Sequence, residues 1–125
     1  MKRKPNEAQL LLADVLRDTG YEWKPEYKIV AGRKWAWDFA CRELKLAIEL
    51  HGATWIQGRH NRGAGFQNDR SKMNAGIVRG WQTLEFSTED VLKGRAADTI
   101  REWFEKASER EAAKPKREFL EVRKA

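Results

Sequence analysis

Two short stretches of alternating side chains, joined by a turn of a few residues, constrain the fold of this chain more than any other feature. In residues 35–41 every second residue is aromatic or a cysteine, and in residues 45–51 apolar residues again fall on alternate positions. Alternation is typical of β-strands, whose successive side chains point to opposite faces. These stretches predict two adjacent antiparallel strands, with Asp38 on the first and Glu49 on the second.

Other patterns predict helices and strands on both sides of this hairpin. Asn6 and Gln9 occupy the capping positions of a helix that Gly20 ends. The remaining predictions, in chain order, are a strand over residues 26–30, a basic glycine-rich loop over 52–65, a helix over 66–80, a strand over 81–86 and a last helix with an apolar stripe formed by Ile100, Trp103, Phe104 and Ala107. The order is αβββαβα, so we expect an α/β fold with a mixed sheet flanked by helices.

Length and charge limit the classes of protein that remain. The chain has 125 residues, a formal net charge of +6 and one cysteine, Cys41. We expect a single domain over residues 1–113 and a basic tail over 114–125, either a short helix or disordered. No stretch is long and apolar enough to span a bilayer, and a single cysteine forms no internal disulfide. We therefore expect a cytoplasmic protein with a polyanionic partner and no membrane.

The acidic residues of the two strands suggest a metal site. Asp38 and Glu49 both lie opposite the apolar side chains of their strands, so they share one face of the sheet if the apolar sides pack against the same helices. Two carboxylates on neighbouring strands suit Mg²⁺, a hard cation that prefers oxygen ligands, and the backbone carbonyl of Leu50 is a third possible ligand. The alternative is that both acids are solvated positions on a half-exposed sheet.

These residues, taken in order along the chain, resemble a known family. The matching segments are residues 33–40, residues 47–52, Gly58, Arg59, His60, Arg62, Gly63, Gly65, Phe66, Asp69, Lys72, Asn74, Gly80 and Trp81. Together they resemble small single-domain endonucleases of the PD-(D/E)XK superfamily, similar to the very-short-patch repair group of bacteriophages and bacteria. The resemblance covers roughly residues 6–95.

The resemblance implies a restriction-endonuclease-like αβββαβα core and a Mg²⁺-dependent phosphodiester hydrolase, with Mn²⁺ able to substitute. Asp38 and Glu49 correspond to the metal-binding acids of the motif, and Glu7 lies where related nucleases carry an acid on the first helix. Glu7 has two readings that the sequence leaves open. It either faces inward, one turn before Leu11, or it is a favourable charge in the first turn of its helix.

The chain departs from the motif at position 51, where the lysine of the superfamily is replaced by His51. Three residues could supply the missing group. His51 has the correct spacing from Glu49, and an imidazole can serve as a base or as a cation that stabilises phosphate. Lys72 lies on the following helix, and His60 lies in the basic loop. The structural alternatives are a hydrogen-bonding histidine at a strand end and, for Lys72, a surface ion pair with Asp69.

Basic and aromatic residues around the two acids predict a DNA-binding rim. The residues concerned are Arg33, Lys34, Trp55, Arg59, His60 and Arg62. The arginines suit phosphate contacts and Trp55 could stack on an unpaired base, although it could equally close the core. Repair enzymes of the very-short-patch group carry a cysteine/histidine zinc site that one cysteine and two histidines cannot reproduce, so mismatch repair is not implied.

The leading hypothesis is a Mg²⁺-dependent DNA endonuclease that nicks DNA or cleaves branched structures. We expect it to act as a monomer or a homodimer in the cytoplasm. If a phage encodes the protein, this is the cytoplasm of the host cell. The alternative is a DNA-binding module with a decayed nuclease site, motivated by His51 in place of lysine. RNA cleavage is a third hypothesis, for which the sequence carries no RNA-binding signature.

Overall fold

The computed structural model describes residues 6–52, 64–109 and 117–124. Within these ranges the elements follow the predicted order: helix, three strands, helix, strand and further helices. The chain forms two compact units. A helical unit comprises Met1–Trp23 with Thr88–Ala125, and a sheet unit comprises Lys24–Ser87. None of the helices in the described part of the chain is long and apolar enough to cross a membrane.

The helical unit begins with α1 (Glu7–Asp18), which is capped as the sequence predicts. The Asn6 side chain accepts a hydrogen bond from the Gln9 N–H, and the Gln9 side chain accepts one from the Asn6 N–H, both at 2.8 Å. The buried face repeats every four residues and consists of Ala8, Leu12 and Leu16. Leu11 is 40% exposed and Glu7 is exposed. The inward-facing reading of Glu7 is therefore wrong, and Glu7 lies as a charge in the first turn.

The described residues of the helical unit also form α3 (Thr88–Leu92), α4 (Arg95–Glu109) and α5 (Arg117–Lys124). The predicted stripe of α4 is confirmed at Ile100, Phe104 and Ala107, which are all buried. Phe119 of α5 packs edge-on against Phe104, with ring centroids 5.5 Å apart. Within the predicted basic tail, for which the charge pattern left helix and disorder open, residues 117–124 thus form a helix with a buried aromatic side chain.

In residues 24–52 and 64–87, the described part of the sheet unit, there are four strands and one helix: β1 (Lys24–Tyr27), β2 (Trp37–Cys41), β3 (Leu46–His51), α2 (Ala64–Val78) and β4 (Gln82–Ser87). The strands lie side by side in chain order. β2 is antiparallel to both of its neighbours, β1 and β3, and β4 is parallel to β3; the antiparallel pair of β2 and β3 is the predicted one. The sheet is therefore mixed, and β3 is an interior strand whose residues Leu46, Ala47 and Ile48 have no exposed surface.

The first strand differs from its prediction over residues 26–30. Pairing between β1 and β2 ends at Tyr27 and Trp37, so Ile29 and Val30 lie in the connection, although Val30 is still buried. β-branched content signals a buried, pleated environment more than a strand itself. Val30 therefore meets a buried environment in the connection between β1 and β2 without being part of a strand.

The indole of Trp37 also departs from the predicted alternation. Strict alternation would place Trp37 on the same face of the sheet as Phe39 and Cys41. The ring instead packs in one cluster with Ala40, Ala47 and Trp81. Glu26, which lies between the residues of β1 paired with Phe39 and Trp37, has a left-handed backbone with φ of 48°. The backbone of β1 is therefore irregular at Glu26 although the register of the pair is unshifted. The ring of Trp37 lies on the face that α2 covers, against Gly76 and Lys72.

Helix α2 ends in a Schellman motif at Gly80. The Gly80 N–H donates to the Ile77 carbonyl at 2.9 Å, and the Trp81 N–H donates to the Gly76 carbonyl at 3.0 Å. Gly80 has φ of 87°, a conformation that favours glycine. This turn directs the chain into β4 and places Trp81, 7% exposed, in the core of the sheet unit.

Candidate active site

Two hydrogen bonds across the antiparallel pair of β2 and β3 hold the side chains of Asp38 and Glu49. The Asp38 backbone N–H donates to Oε1 of Glu49 at 3.1 Å. The Leu50 N–H donates to Oδ2 of Asp38 at 2.6 Å. Since each carboxylate accepts from the opposite strand, both side chains are held over the same part of the sheet. The predicted proximity of the two acids is confirmed.

Glu49 is not a solvated position on an open sheet. It is 7% exposed, whereas Asp38 is half-buried. The face that carries Glu49 is covered by α2, because Lys72 of that helix contacts the Glu49 carboxylate. The alternative prediction, that the acid is a solvated position on a half-exposed sheet, is therefore wrong for Glu49. A buried carboxylate of this kind requires a partner.

Lys72 supplies that partner from α2. Its Nζ donates to Oε2 of Glu49 and to the Ala36 carbonyl at 2.8 Å. It also lies 4.8 Å from the centre of the Trp37 ring, within the range of a cation–π contact. The Lys72 side chain is 11% exposed, so the alternative of a surface ion pair with Asp69 is wrong.

A stripe along α2 explains why Lys72 reaches the sheet. Asn68, Lys72 and Gly76 are spaced four residues apart and so lie on one face of the helix. Asn68 accepts a hydrogen bond from Nε1 of Trp35 at 3.1 Å, and Gly76 lies against the ring of Trp37. A β-carbon at position 76 would approach Cζ2 of Trp37 to 3.2 Å. The absence of a side chain there lets α2 lie close to β2.

Burial raises the pKa of the Glu49 carboxyl above its ordinary value of 4.5. The hydrogen bond and the positive charge of Lys72 oppose this effect, while the negative charge of Asp38 adds to it. The Glu49 carboxylate is thus poised between a neighbouring cation and a neighbouring anion. A second cation near the two acids would favour the ionised form of Glu49 further.

His51 forms a different pair. Its Nε2 lies 2.8 Å from Oε1 of Glu85, and the two side chains are 37% and 52% exposed. His51 points to the same face of β3 as Glu49, two residues earlier. The histidine at the motif position therefore contacts the carboxylate of β4, and the cation that contacts Glu49 is Lys72.

The residues present suit a Mg²⁺ ion in their chemistry. A carboxylate offers about four lone-pair positions, and the hydrogen bonds described above occupy one on Asp38 and two on Glu49. The carbonyl of Leu50 points to the same side of its strand as its N–H, which meets Asp38. Within residues 6–52, 64–109 and 117–124, no group of three or more His, Cys, Asp and Glu is placed to hold a metal. An ion here would depend on two carboxylates, a carbonyl and water, which is the ligand set typical of Mg²⁺.

The remaining predicted residues fall into three groups. Arg33 and Lys34 are exposed in the turn that precedes β2. Glu7 belongs to the helical unit. The predicted loop residues Trp55, Arg59, His60 and Arg62 lie outside the described residues.

Sequence reasoning missed Glu85 and Asn68. Glu85 lies opposite Glu49 in the parallel register of β3 and β4, and that pairing follows from tertiary structure, not from any local pattern. For Asn68, the four-residue spacing from Lys72 indicates that the two side chains lie on the same face of the helix, and this spacing could have identified Asn68 as a neighbour of the site.

Comparison of the chain with protein-family models, curated proteins and solved structures finds no match.

Proposed function

We propose that this chain is a Mg²⁺-dependent DNA endonuclease with a site of the PD-(D/E)XK type. The observation that carries the proposal is the contact of the Lys72 ammonium with Glu49, beside Asp38 on the adjacent strand. The motif requires two acids and a lysine at one place. In this proposal the lysine comes from the helix after the strand instead of from position 51, the position at which the chain departs from the motif.

Asp38, Glu49 and the carbonyl of Leu50 are the groups that would hold the ion. When bound, Mg²⁺ polarises a phosphodiester and makes water a stronger nucleophile near neutral pH. The resident residues set the geometry: the Leu50 N–H fixes the Asp38 carboxylate, and the Asp38 N–H fixes the Glu49 carboxylate. Both acids are therefore oriented before a ligand arrives, which lowers the cost of organising the site.

Lys72 acts on the substrate side of the same site. An ammonium group has three donors, of which Glu49 and the Ala36 carbonyl take two. The third is available to a phosphate oxygen or to the attacking water. A positive charge held at a nearly buried position stabilises the negative charge that develops on phosphorus-bound oxygens more strongly than a solvated lysine does.

The fold and charge of the chain support a nucleic-acid substrate. The element order begins αβββαβα and the sheet is mixed, as the resemblance to restriction-endonuclease-like cores implies, and the net charge is +6. Arg33 and Lys34 provide two exposed cations in the turn next to Ala36, whose carbonyl accepts from Lys72. Exposed cations beside the acids favour binding to a phosphate backbone.

One observation favours the alternative of a DNA-binding module with a decayed site. His51 stands at the motif position and is paired with Glu85 instead of with Glu49. If Lys72 does not replace the motif lysine in function, the protein binds DNA in a salt-sensitive manner without turnover.

The test is incubation of supercoiled plasmid and of a labelled branched duplex with the protein in Mg²⁺, Mn²⁺ or EDTA. We expect cleavage with either metal, none in EDTA, and none by Asp38→Asn, which keeps the shape of the side chain but removes its charge. Cleavage in EDTA, or an Asp38→Asn protein as active as the parent, contradicts the proposed site. Binding without cleavage under every condition supports the decayed module.

A matched control separates the site from general loss of charge. Lys93 also pairs with a glutamate, Glu89, at 3.2 Å, but its side chain is 62% exposed. Lys93→Met removes the same charge as Lys72→Met. We expect Lys72→Met to abolish cleavage and Lys93→Met to leave it close to that of the parent.

A further inference from the structure

Arg33 and Trp35 form a stacked pair at the surface of the sheet unit. The guanidinium carbon of Arg33 lies 3.8 Å from the centre of the Trp35 ring. Arg33 is exposed and Trp35 is half-buried. Because a guanidinium group is planar and delocalised, it stacks on an aromatic face and presents its own outer face to the surroundings.

The indole beneath Arg33 is held in place from two directions. Trp35 packs against the buried cluster that contains Trp37. Its Nε1 donates to Oδ1 of Asn68 on α2 at 3.1 Å. The ring is therefore fixed by packing and by a hydrogen bond, so little conformational entropy remains to be lost when another planar group is added to the stack.

The stacked pair adjoins the proposed catalytic lysine. Asn68, which holds Trp35, lies one helical turn before Lys72 on the same face of α2. The residue after Trp35 is Ala36, whose carbonyl accepts a hydrogen bond from Lys72 at 2.8 Å. A group bound on Arg33 would thus lie beside the scissile phosphate of a DNA bound at Asp38 and Glu49.

We propose that the Arg33–Trp35 stack binds an unpaired nucleobase, and that the substrate class of the nuclease is DNA with unpaired nucleotides next to the cleaved bond. The inference rests on the proposed function for its link to cleavage. Unpaired bases stack on aromatic rings and on arginine guanidinium planes, whereas the bases of an intact duplex are stacked on one another and are not accessible. The base stacks on the outer face of the guanidinium and adds one layer to the pair.

The test measures binding in EDTA, where cleavage does not interfere. The probes are a fluorescein-labelled blunt duplex and the same duplex with a single-stranded thymidine flap, followed by fluorescence anisotropy. We expect the parent protein to bind the flap duplex about tenfold more tightly, the effect of one stacked base. Equal affinity for the two probes would overturn the inference.

Two variants separate stacking from charge. Arg33→Lys keeps the positive charge and loses the plane, so it should lose the preference for the flap and retain its affinity for the blunt duplex. Lys34→Ala, at the neighbouring exposed position, should weaken binding to both probes equally and leave the ratio intact. An Arg33→Lys protein that keeps the tenfold ratio would show that the stack is only structural.

Cleavage of the same two probes in Mg²⁺ distinguishes failure of this inference from failure of the proposed function. A protein that cleaves both probes equally refutes the inference and leaves the nuclease assignment standing. A protein that prefers the flap duplex in EDTA and cleaves neither probe refutes the nuclease assignment and supports the base-binding stack.

Discussion

Lys72→Met tests the electrostatics of the site through stability, independently of any substrate. The substitution removes the ammonium that contacts Glu49 and keeps an apolar stem of similar length. The Glu49 side chain is 9% exposed and that of Lys72 is 11% exposed. Removing one partner of such a pair leaves an uncompensated charge in a nearly dry place, which is costly.

The largest possible cost is set by protonation, because a carboxyl that becomes too unfavourable as an anion takes up a proton. The ordinary pKa of Glu49 is 4.5. At about 1.36 kcal/mol for each pH unit between 4.5 and 7, the upper limit at pH 7 is about 3 kcal/mol. Part of this cost is already present in the parent protein, whose Glu49 pKa is raised by burial. We therefore expect Lys72→Met to lower the free energy of unfolding by about 2 kcal/mol at pH 7.

The effect has a defined pH dependence. Glu49 has a higher pKa in the folded protein than in the unfolded chain, and a higher one still in Lys72→Met, which lacks the opposing cation. The folded state then binds more protons, so the free energy of unfolding falls as the pH rises from 4.5 through the folded pKa. Below 4.5 the carboxyl is protonated in both states and the difference between variant and parent narrows.

The assay is urea denaturation followed by tryptophan fluorescence at pH 5 and pH 7.5, with Lys93→Met as the matched exposed control. The double variant Lys72→Met/Glu49→Gln should regain most of the lost stability at pH 7.5, because it removes the buried charge as well as its partner. The reasoning is refuted if Lys72→Met is destabilised equally at both pH values, or if Glu49→Gln does not rescue it.

Two further predictions concern the scaffold. Gly76→Ala should lower the free energy of unfolding by about 1–3 kcal/mol, because the new β-carbon would lie 3.2 Å from the Trp37 ring. Thermal denaturation measures this change. Helix propensity alone would raise the stability, so a gain in stability would contradict the close approach of α2 to Trp37. Asn6→Ala should cost about 1 kcal/mol through loss of the capping box of α1, measured by urea denaturation, and an unchanged midpoint would show that the cap contributes nothing.

Local patterns predicted most of the fold. The Asn6–Gln9 capping box and the antiparallel hairpin carrying Asp38 and Glu49 both depend on residues close together in sequence, and both are observed. The boundaries of β1 and the orientation of Trp37 were predicted wrongly because both depend on packing between residues distant in sequence: Val30 is buried outside the strand, and Trp37 packs with Ala47 and Trp81.

The site was predictable in part for the same reason. The alternation of side chains predicted that Asp38 and Glu49 lie close together. For the group that replaces the motif lysine, the sequence left three candidates: His51, Lys72 and His60. The choice between His51 and Lys72 depends on how α2 lies on the sheet, which Gly76 permits and no local pattern encodes. The Glu85 partner of His51 follows from the parallel register of β3 and β4, a contact between strands separated by a whole helix.

The most direct test of the central claim compares single-turnover cleavage of a flap duplex in Mg²⁺ by the parent, Lys72→Met and His51→Gln. If Lys72 is the lysine of the site, Lys72→Met loses about a hundredfold or more in rate, while His51→Gln loses far less because His51 contacts Glu85 and not Glu49. The opposite ranking, with His51→Gln inactive and Lys72→Met close to the parent, would contradict the assignment of the site.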